Sequence, residues 1–235
     1  VCSSDLGRRR PPGMTTATGV VHREPGPRSL GHIPALDGFR GVAVLLVLMW
    51  HLQALDPWFR DRVPPGGALG VDMFLVLSGF LITGLLLRDT AGGGRVRFAA
   101  FYRRRVLRLL PALVVLLACF FVYSTLTHLP DRREPASTLA FLFYLGNTGV
   151  ARPPTPGINH LWTLSLEEQF YIVWPAVFAV FFARRRPSVL VVPGLVFAIA
   201  VVWAVRGAMF QGGEAWFTLH QMLVARADAL LVGAL

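Results

Sequence analysis

The chain has 235 residues, of which 54% are hydrophobic and only 15% charged, where soluble domains carry roughly a quarter charged residues. That deficit argues against a water-soluble domain and for a membrane protein. The net charge is +10, and all 23 basic residues are arginine. Nucleic-acid binding is the usual reading of so basic a chain. Here the arginines fall between apolar runs rather than across one polar face, so they read as topology signals and no nucleic-acid partner is expected. Cys2 and Cys119 form no metal-ligand spacing and no disulfide framework, so no metal is expected.

The first residues, Val1-Cys2-Ser3-Ser4-Asp5-Leu6, back-translate into a sequencing-adapter read and are set aside as non-native. Met14 is the expected start. The polar stretch that follows, rich in Gly, Pro and Thr, reads as a disordered cytoplasmic tail. The chain stops at Leu235 inside an apolar run and is expected to be truncated there. The domain division is therefore a non-native start plus tail over 1–32 and a membrane domain over 33–235.

A spanning helix needs about 20 mostly apolar residues. In chain order the candidates are 33–55, 67–87, 106–127, a shorter run at 137–148, then 169–183, 188–205 and 217–235. Breakers separate them, among them Pro57, Pro64-Pro65, Gly92-Gly93-Gly94, Pro130 and Pro153-Pro154. No run alternates with period two, so strands are excluded. The fold class is all-α, a polytopic transmembrane helical bundle.

Orientation follows the arginines of short loops. The tail holds Arg8, Arg9, Arg10, Arg23 and Arg28, and the second loop holds Arg88, Arg95, Arg97 and Arg103 to Arg105 against Asp89 alone. Both are expected to be cytoplasmic, with the balanced 56–66 loop outside. Arg184-Arg185-Arg186 also belongs inside, which requires that 137–148 not cross. Its run reaches roughly 18 Å against a hydrocarbon core of about 30 Å, so a half-helix or re-entrant piece is expected.

Ionisable residues inside spans are costly and mark function. Arg40 and His51 are eleven residues apart, about 20° around the helix and roughly 16 Å along it, so they share a face. Histidine suits proton transfer near neutral pH; the bland alternative is a snorkelling anchor and a packing histidine. Asp72 lies in Gly70-Val71-Asp72 and is expected to pair with Arg40 or to orient His51, while Ser78-Gly79 is expected to serve close helix packing. Arg104, Arg105 and Arg108 lie on adjacent faces and match a phosphate-bearing cytosolic donor, or they simply set topology. His160-Leu161-Trp162 through Glu167-Glu168-Gln169-Phe170-Tyr171 places acids and aromatics at a helix mouth, with Glu167 and Tyr171 in i, i+4 reach. The helix dipole alone accounts for acids in that position.

Leu36-Asp37-Gly38-Phe39-Arg40-Gly41, with His51 eleven residues after the arginine, resembles the Arg-x10-His signature of the acyltransferase-3 family of integral-membrane O-acyltransferases. Four further stretches resemble the family in the same order. They are Gly70-Val71-Asp72 through Ser78-Gly79-Phe80, Phe101-Tyr102-x-Arg104-Arg105-x-x-Arg108-x-x-Pro111, Trp162-x-Leu164-x-x-Glu167-x-x-Phe170-Tyr171, and Arg226-Ala227-Asp228. Phe39 and Thr163 stand where Leu and Ser are common in the family.

The resemblance implies transfer of an acyl group, commonly acetyl, from acyl-CoA to a hydroxyl of a cell-envelope glycan such as lipopolysaccharide or peptidoglycan. It implies a multi-pass protein of the bacterial inner membrane, and further C-terminal helices. No tightly bound cofactor is expected; acyl-CoA is a substrate. His51, Arg40, Glu167 and Asp72 become the catalytic candidates, with Glu168 ranked behind Glu167, and Arg104, Arg105 and Arg108 the donor-binding ones. His51 would act as general base or transient acyl carrier, Arg40 would stabilise the reacting carbonyl or position the donor, and Glu167 would hold the histidine tautomer or orient the acceptor. The rival class is a polysaccharide or lipid-linked glycan flippase, which would also carry mid-membrane charge but should show related halves; none are seen.

Overall fold

A computed structural model describes residues 33–55, 58, 62, 66–90, 96–127, 135–148, 157–182, 191–214 and 216–235. The chain divides into two units, 1–31 and 32–235, and every described residue belongs to the second. The expected tail and the Arg95 and Arg184–Arg186 topology signals lie outside the described residues.

The described elements are helical: α1 (Pro34–Leu55), α2 (Gly67–Thr90), α3 (Phe98–Leu126), α4 (Pro135–Leu142), a 3-10 turn (Asn159–Leu161), α5 (Trp162–Phe182), α6 (Val191–Gln211), α7 (Trp216–Gln221) and α8 (Leu223–Ala234). Four of them, α1, α2, α3 and α6, are long and apolar enough to cross a membrane. Large apolar side chains such as Leu107, Val115, Phe121 and Leu126 of α3, Val180 of α5 and Phe197 and Phe210 of α6 are exposed. A soluble chain would hide such surface; a helix facing lipid tails has no reason to.

Several expected boundaries move, and the run expected to end at 205 continues as α6 to Gln211. The third span starts at Phe98, not 106, so Arg103, Arg104 and Arg105 are helical rather than in a loop. At 29 residues the helix is roughly 43 Å long, more than a core of about 30 Å requires. The fourth starts at Trp162, not 169, placing Glu167 and Glu168 inside α5 rather than at its mouth. The last run breaks at Met222, whose backbone is extended (φ −72°, ψ 134°), into α7 and α8. The 137–148 run takes the expected truncated form: an eight-residue helix, then turns through Tyr144, which has positive φ (57°).

Helix α2 is the centre, packed on α1, α5 and α8. Its crossing with α8 is made by glycines. A Cβ on Gly79 would collide with the Leu230 backbone, and one on Gly233 with the Val76 carbonyl. Small residues permit such backbone approach, so the packing role read for Gly79 is met. Where α1 meets α2, a Cβ on Gly70 would come to 2.7 Å from the Ala43 oxygen. The main core is a stripe on α5, Leu166, Phe170, Trp174 and Phe178, against Leu75, Ile82 and Leu86 of α2, Leu195, Ile199 and Val202 of α6, and Leu230 and Leu231 of α8. The i, i+4 spacing keeps the α5 stripe on one helix face. Trp174 Nε1 donates to Thr83 Oγ1 at 2.9 Å, which satisfies the one polar atom of that ring. A smaller cluster joins Leu113 and Leu117 of α3 to Phe141, Ile158 and Leu161.

Candidate functional site

Level along the bundle follows from the pairings. Ser78, at mid-length of α2, meets Glu167, and Thr83 meets Trp174, so α5 runs parallel to α2. Its first turn therefore begins near the middle of α2 rather than beyond its end. Arg105 of α3 meets Glu168, and Tyr102 Oη donates to the carbonyls of Tyr171 and Ile172 at 3.3 Å each, so α3 runs antiparallel to α5. The turns of α3 that hold Tyr102 and Arg105 thus lie beside the second and third turns of α5.

Between these helices is a cavity of about 650 Å³, within the range that holds small-molecule ligands. Arg40 of α1 and Arg104, Arg105 and Arg108 of α3 line it with Glu167, Ser78 and Tyr171. Its walls are apolar, from Phe74, Leu81, Ile82, Leu85, Phe101, Leu109 and Leu164. Four guanidinium groups against one carboxyl make a strongly positive site whose low-dielectric walls focus that charge. Such a site suits a polyanion, and arginine matches phosphate oxygens with paired donors.

The four arginines are not equivalent. Arg105 Nε binds Glu168 Oε1 at 2.7 Å, and its guanidinium carbon lies 3.3 Å from the centre of the Tyr171 ring. Among the described residues, Arg40 makes a loose 3.7 Å contact with Asp37. Arg104 and Arg108 are exposed and, among the described residues, form no hydrogen bond or ion pair. The adjacent acids divide in the same way. Glu168 is buried on Arg105, while Glu167 turns into the cavity, accepting a 3.2 Å hydrogen bond from Ser78 Oγ. Ser78, read as a packing residue, is therefore also the residue that touches this carboxyl.

His51 is not among the cavity-lining residues. On α1 it follows Trp50, which packs against Gly67 at the start of α2, whereas Arg40 reaches the cavity beside Phe74. Arg40 and His51 are thus separated along α1 by the roughly 16 Å of three helical turns. His51 Nδ1 lies 2.8 Å from the Val47 carbonyl, which assigns the proton to Nδ1 and leaves Nε2 as the basic nitrogen. His160, before α5, is close enough to feel His51. Partial burial first, and the His51 charge second, hold its imidazole below the ordinary value.

Asp72 corrects an expectation. It pairs with neither Arg40 nor His51 but with Arg226 of α8. The charges of Asp228, His220 and Arg206 also act on it. Asp228 Oδ2 receives Arg206 Nη2 and Trp203 Nε1, each at 2.9 Å. These charges tie α2, α6 and α8 together, apart from the arginine-lined cavity. A span-by-span reading could not find the partner of Asp72, because Arg226 lies 154 residues away. Among the described residues there is no cluster of His, Cys, Asp and Glu able to hold a metal ion.

Residues 33–235 match the profile of a family described as an acyltransferase domain, the acyltransferase-3 type. The chain is 37% identical over 162 residues to a putative O-acetyltransferase of Staphylococcus aureus strain COL, covering 64% of this chain and 25% of that protein. It is 35% identical over 162 residues to a peptidoglycan O-acetyltransferase of Listeria monocytogenes, with the same coverage. An O-acetyltransferase of S. aureus strain NCTC 8325 is 34% identical over 166 residues, covering 66% of this chain and 26% of that protein. The chain spans about a quarter of the length of the curated relatives it matches. No solved structure matches. With five ordered motifs in its sequence and a family match over nearly all of its helices, the chain belongs to the acyltransferase-3 family.

Proposed function

We propose that this protein transfers an acyl group, acetyl in the first instance, from acyl-CoA to a hydroxyl of a cell-envelope glycan, from a place in the bacterial inner membrane with its N-terminus cytoplasmic. One observation carries the donor: Arg40, Arg104 and Arg108 converge on a cavity that also holds Glu167. The phosphates of CoA are the polyanion such a cavity suits. Listeria and Staphylococcus relatives named as O-acetyltransferases support an acetyl donor and a hydroxyl acceptor, and the Listeria name supports peptidoglycan.

In this reading the donor enters at the N-terminal turns of α3 and its phosphates lie on Arg104 and Arg108. The long pantetheine arm carries the thioester along α1 toward His51. His51 Nε2 takes the proton of the acceptor hydroxyl as the oxygen attacks the thioester carbonyl. The carbon–sulfur bond breaks and CoA leaves as thiolate, which takes up a proton. Arg40, which lines the same cavity as Arg104 and Arg108, positions the donor, and Glu167, oriented by Ser78, holds a polar group of the donor.

The test uses membranes containing the protein at its full encoded length, supplied with acetyl-CoA and a panel of muropeptides and envelope sugars. Free CoA thiol and acetylated sugar are both measured. Equimolar release and acetylation are expected with at least one acceptor, and His51→Gln should lower both by about 10²–10⁴-fold at unchanged protein level. If no acceptor in the panel elicits thiol release above a membrane blank, the proposal fails. If His51→Gln turns over like the parent, His51 is not the base and the chemistry moves to Glu167.

A further inference from the structure

We infer that Arg105 does not hold the donor: it is a positioning residue, clamped by Glu168 and Tyr171, that sets Arg104 and Arg108 against Glu167. This rests on the donor reading of the cavity and assigns separate tasks to three arginines that sequence treats alike.

Geometry argues for it. A guanidinium presents five donors and two faces. Arg105 already directs Nε to Glu168 at 2.7 Å, and one face is covered by the Tyr171 ring at 3.3 Å. Its side chain is 23% exposed and that of Glu168 11%. Turning Arg105 out toward a phosphate as Arg104 and Arg108 can turn would break this bond and strip a nearly buried carboxylate of its cation, at a cost well above that of moving a surface side chain. Arg104 and Arg108 are exposed and carry no such bond, so they can turn to a ligand at little cost.

The placement of the clamp tells what it does. Arg105 stands between Arg104 in sequence and Arg108 one turn on, and α3 runs along α5 antiparallel. Tyr102 Oη, one turn before Arg105, reaches the same stretch of α5 through the Tyr171 and Ile172 carbonyls. Two successive turns of α3 are thus fastened to α5 around Tyr171. Glu168 and Glu167 are adjacent and about 100° apart on α5. Fixing Glu168 on Arg105 therefore fixes the direction of Glu167 relative to Arg104 and Arg108. The clamp sets both the spacing and the facing of the free guanidiniums and the cavity carboxyl.

The experiment separates binding from turnover in membranes containing the protein at its full encoded length. Affinity is read with a radiolabelled, non-transferable CoA thioether analogue, and turnover with acetyl-CoA and the best acceptor. Arg104→Ala and Arg108→Ala should each weaken analogue binding about tenfold. Arg105→Ala and the isosteric Glu168→Gln should leave analogue affinity within about twofold yet lower kcat about tenfold or more, because the groups are held but misaligned. Arg105→Lys, which retains the ion pair with Glu168, should recover much of that kcat. Analogue binding is scored per mole of folded protein, so a poorly folding Arg105→Ala leaves Glu168→Gln as the deciding variant. Loss of affinity in Arg105→Ala or Glu168→Gln equal to that in Arg104→Ala would overturn the inference while sparing the donor reading. Unchanged affinity in Arg104→Ala and Arg108→Ala would instead remove the donor reading itself.

Discussion

Removing the charge of Asp72 is the sharpest test of how the bundle is held. Its partner Arg226 is 7% exposed, and Arg226 Nε has no hydrogen-bond partner among the described residues. Asp72→Asn keeps the shape of the side chain and leaves a buried guanidinium without its counterion. Breaking a buried pair in this way costs about 3–5 kcal/mol. The charge of Asp228 also acts at this place and offsets part of the loss, so the lower figure is expected. At roughly 2–4 °C per kcal/mol for a domain of this size, about 3 kcal/mol lowers the melting midpoint by roughly 6–12 °C. Arg226→Met with Asp72→Asn removes both charges and should recover most of the loss, because an apolar replacement of a buried pair is often neutral. The assay is the thermal retention of monodisperse, detergent-extracted protein for both single variants and the double variant, read as a cycle. If Asp72→Asn melts with the parent but has lost acyl transfer, the clasp reasoning is wrong and Asp72 belongs to the chemistry.

Glu167→Gln still accepts a hydrogen bond from Ser78 Oγ but has no charge; turnover should drop by about 10²-fold with CoA-analogue affinity nearly unchanged, and unchanged turnover would dismiss the carboxylate. Orientation is tested by a cysteine placed at Gly93 in a Cys119→Ala background. In intact cells it should not react with an impermeant maleimide, and labelling from outside would invert the topology.

What the sequence reveals is the set of costly residues; what it hides is their partners. Charge inside an apolar run is visible at once, which is how Arg40, His51, Asp72, Arg104, Arg105, Arg108 and Glu167 come forward. Helical spacing also places Arg40 and His51 on one face of α1. It cannot say that only Arg40 reaches the cavity, because that depends on where α1 crosses α2, and the crossing is set by Gly67 and Gly70 against Trp50 and Ala43. The break at Met222 is equally hidden. No glycine or proline marks it, and the apolar run from Trp216 to Leu235 reads as one helix. The helix starts at Phe98 and Trp162 were missed for a related reason. Polar residues look like helix ends when scored against lipid, but here they face protein, where Glu168 finds Arg105 and Gln169 donates to the Tyr144 carbonyl at 2.8 Å.

The neighbouring acids of α5 bring the two levels together. By sequence, Glu167 and Glu168 differ by one position, and family resemblance alone ranks the first above the second. The structure supplies a physical ground for that order. A carboxylate bound to a guanidinium at 2.7 Å and buried has its charge already matched, whereas one facing a cavity with a single 3.2 Å serine hydrogen bond retains capacity to accept from a ligand. Since 100° of helix separates them, a one-residue slip of α5 would put Glu168 where Glu167 now faces the cavity. What prevents the slip is the stripe of Leu166, Phe170, Trp174 and Phe178, whose apolar volume fits the core in one register alone. The register of four buried apolar residues thus decides which acid faces the cavity.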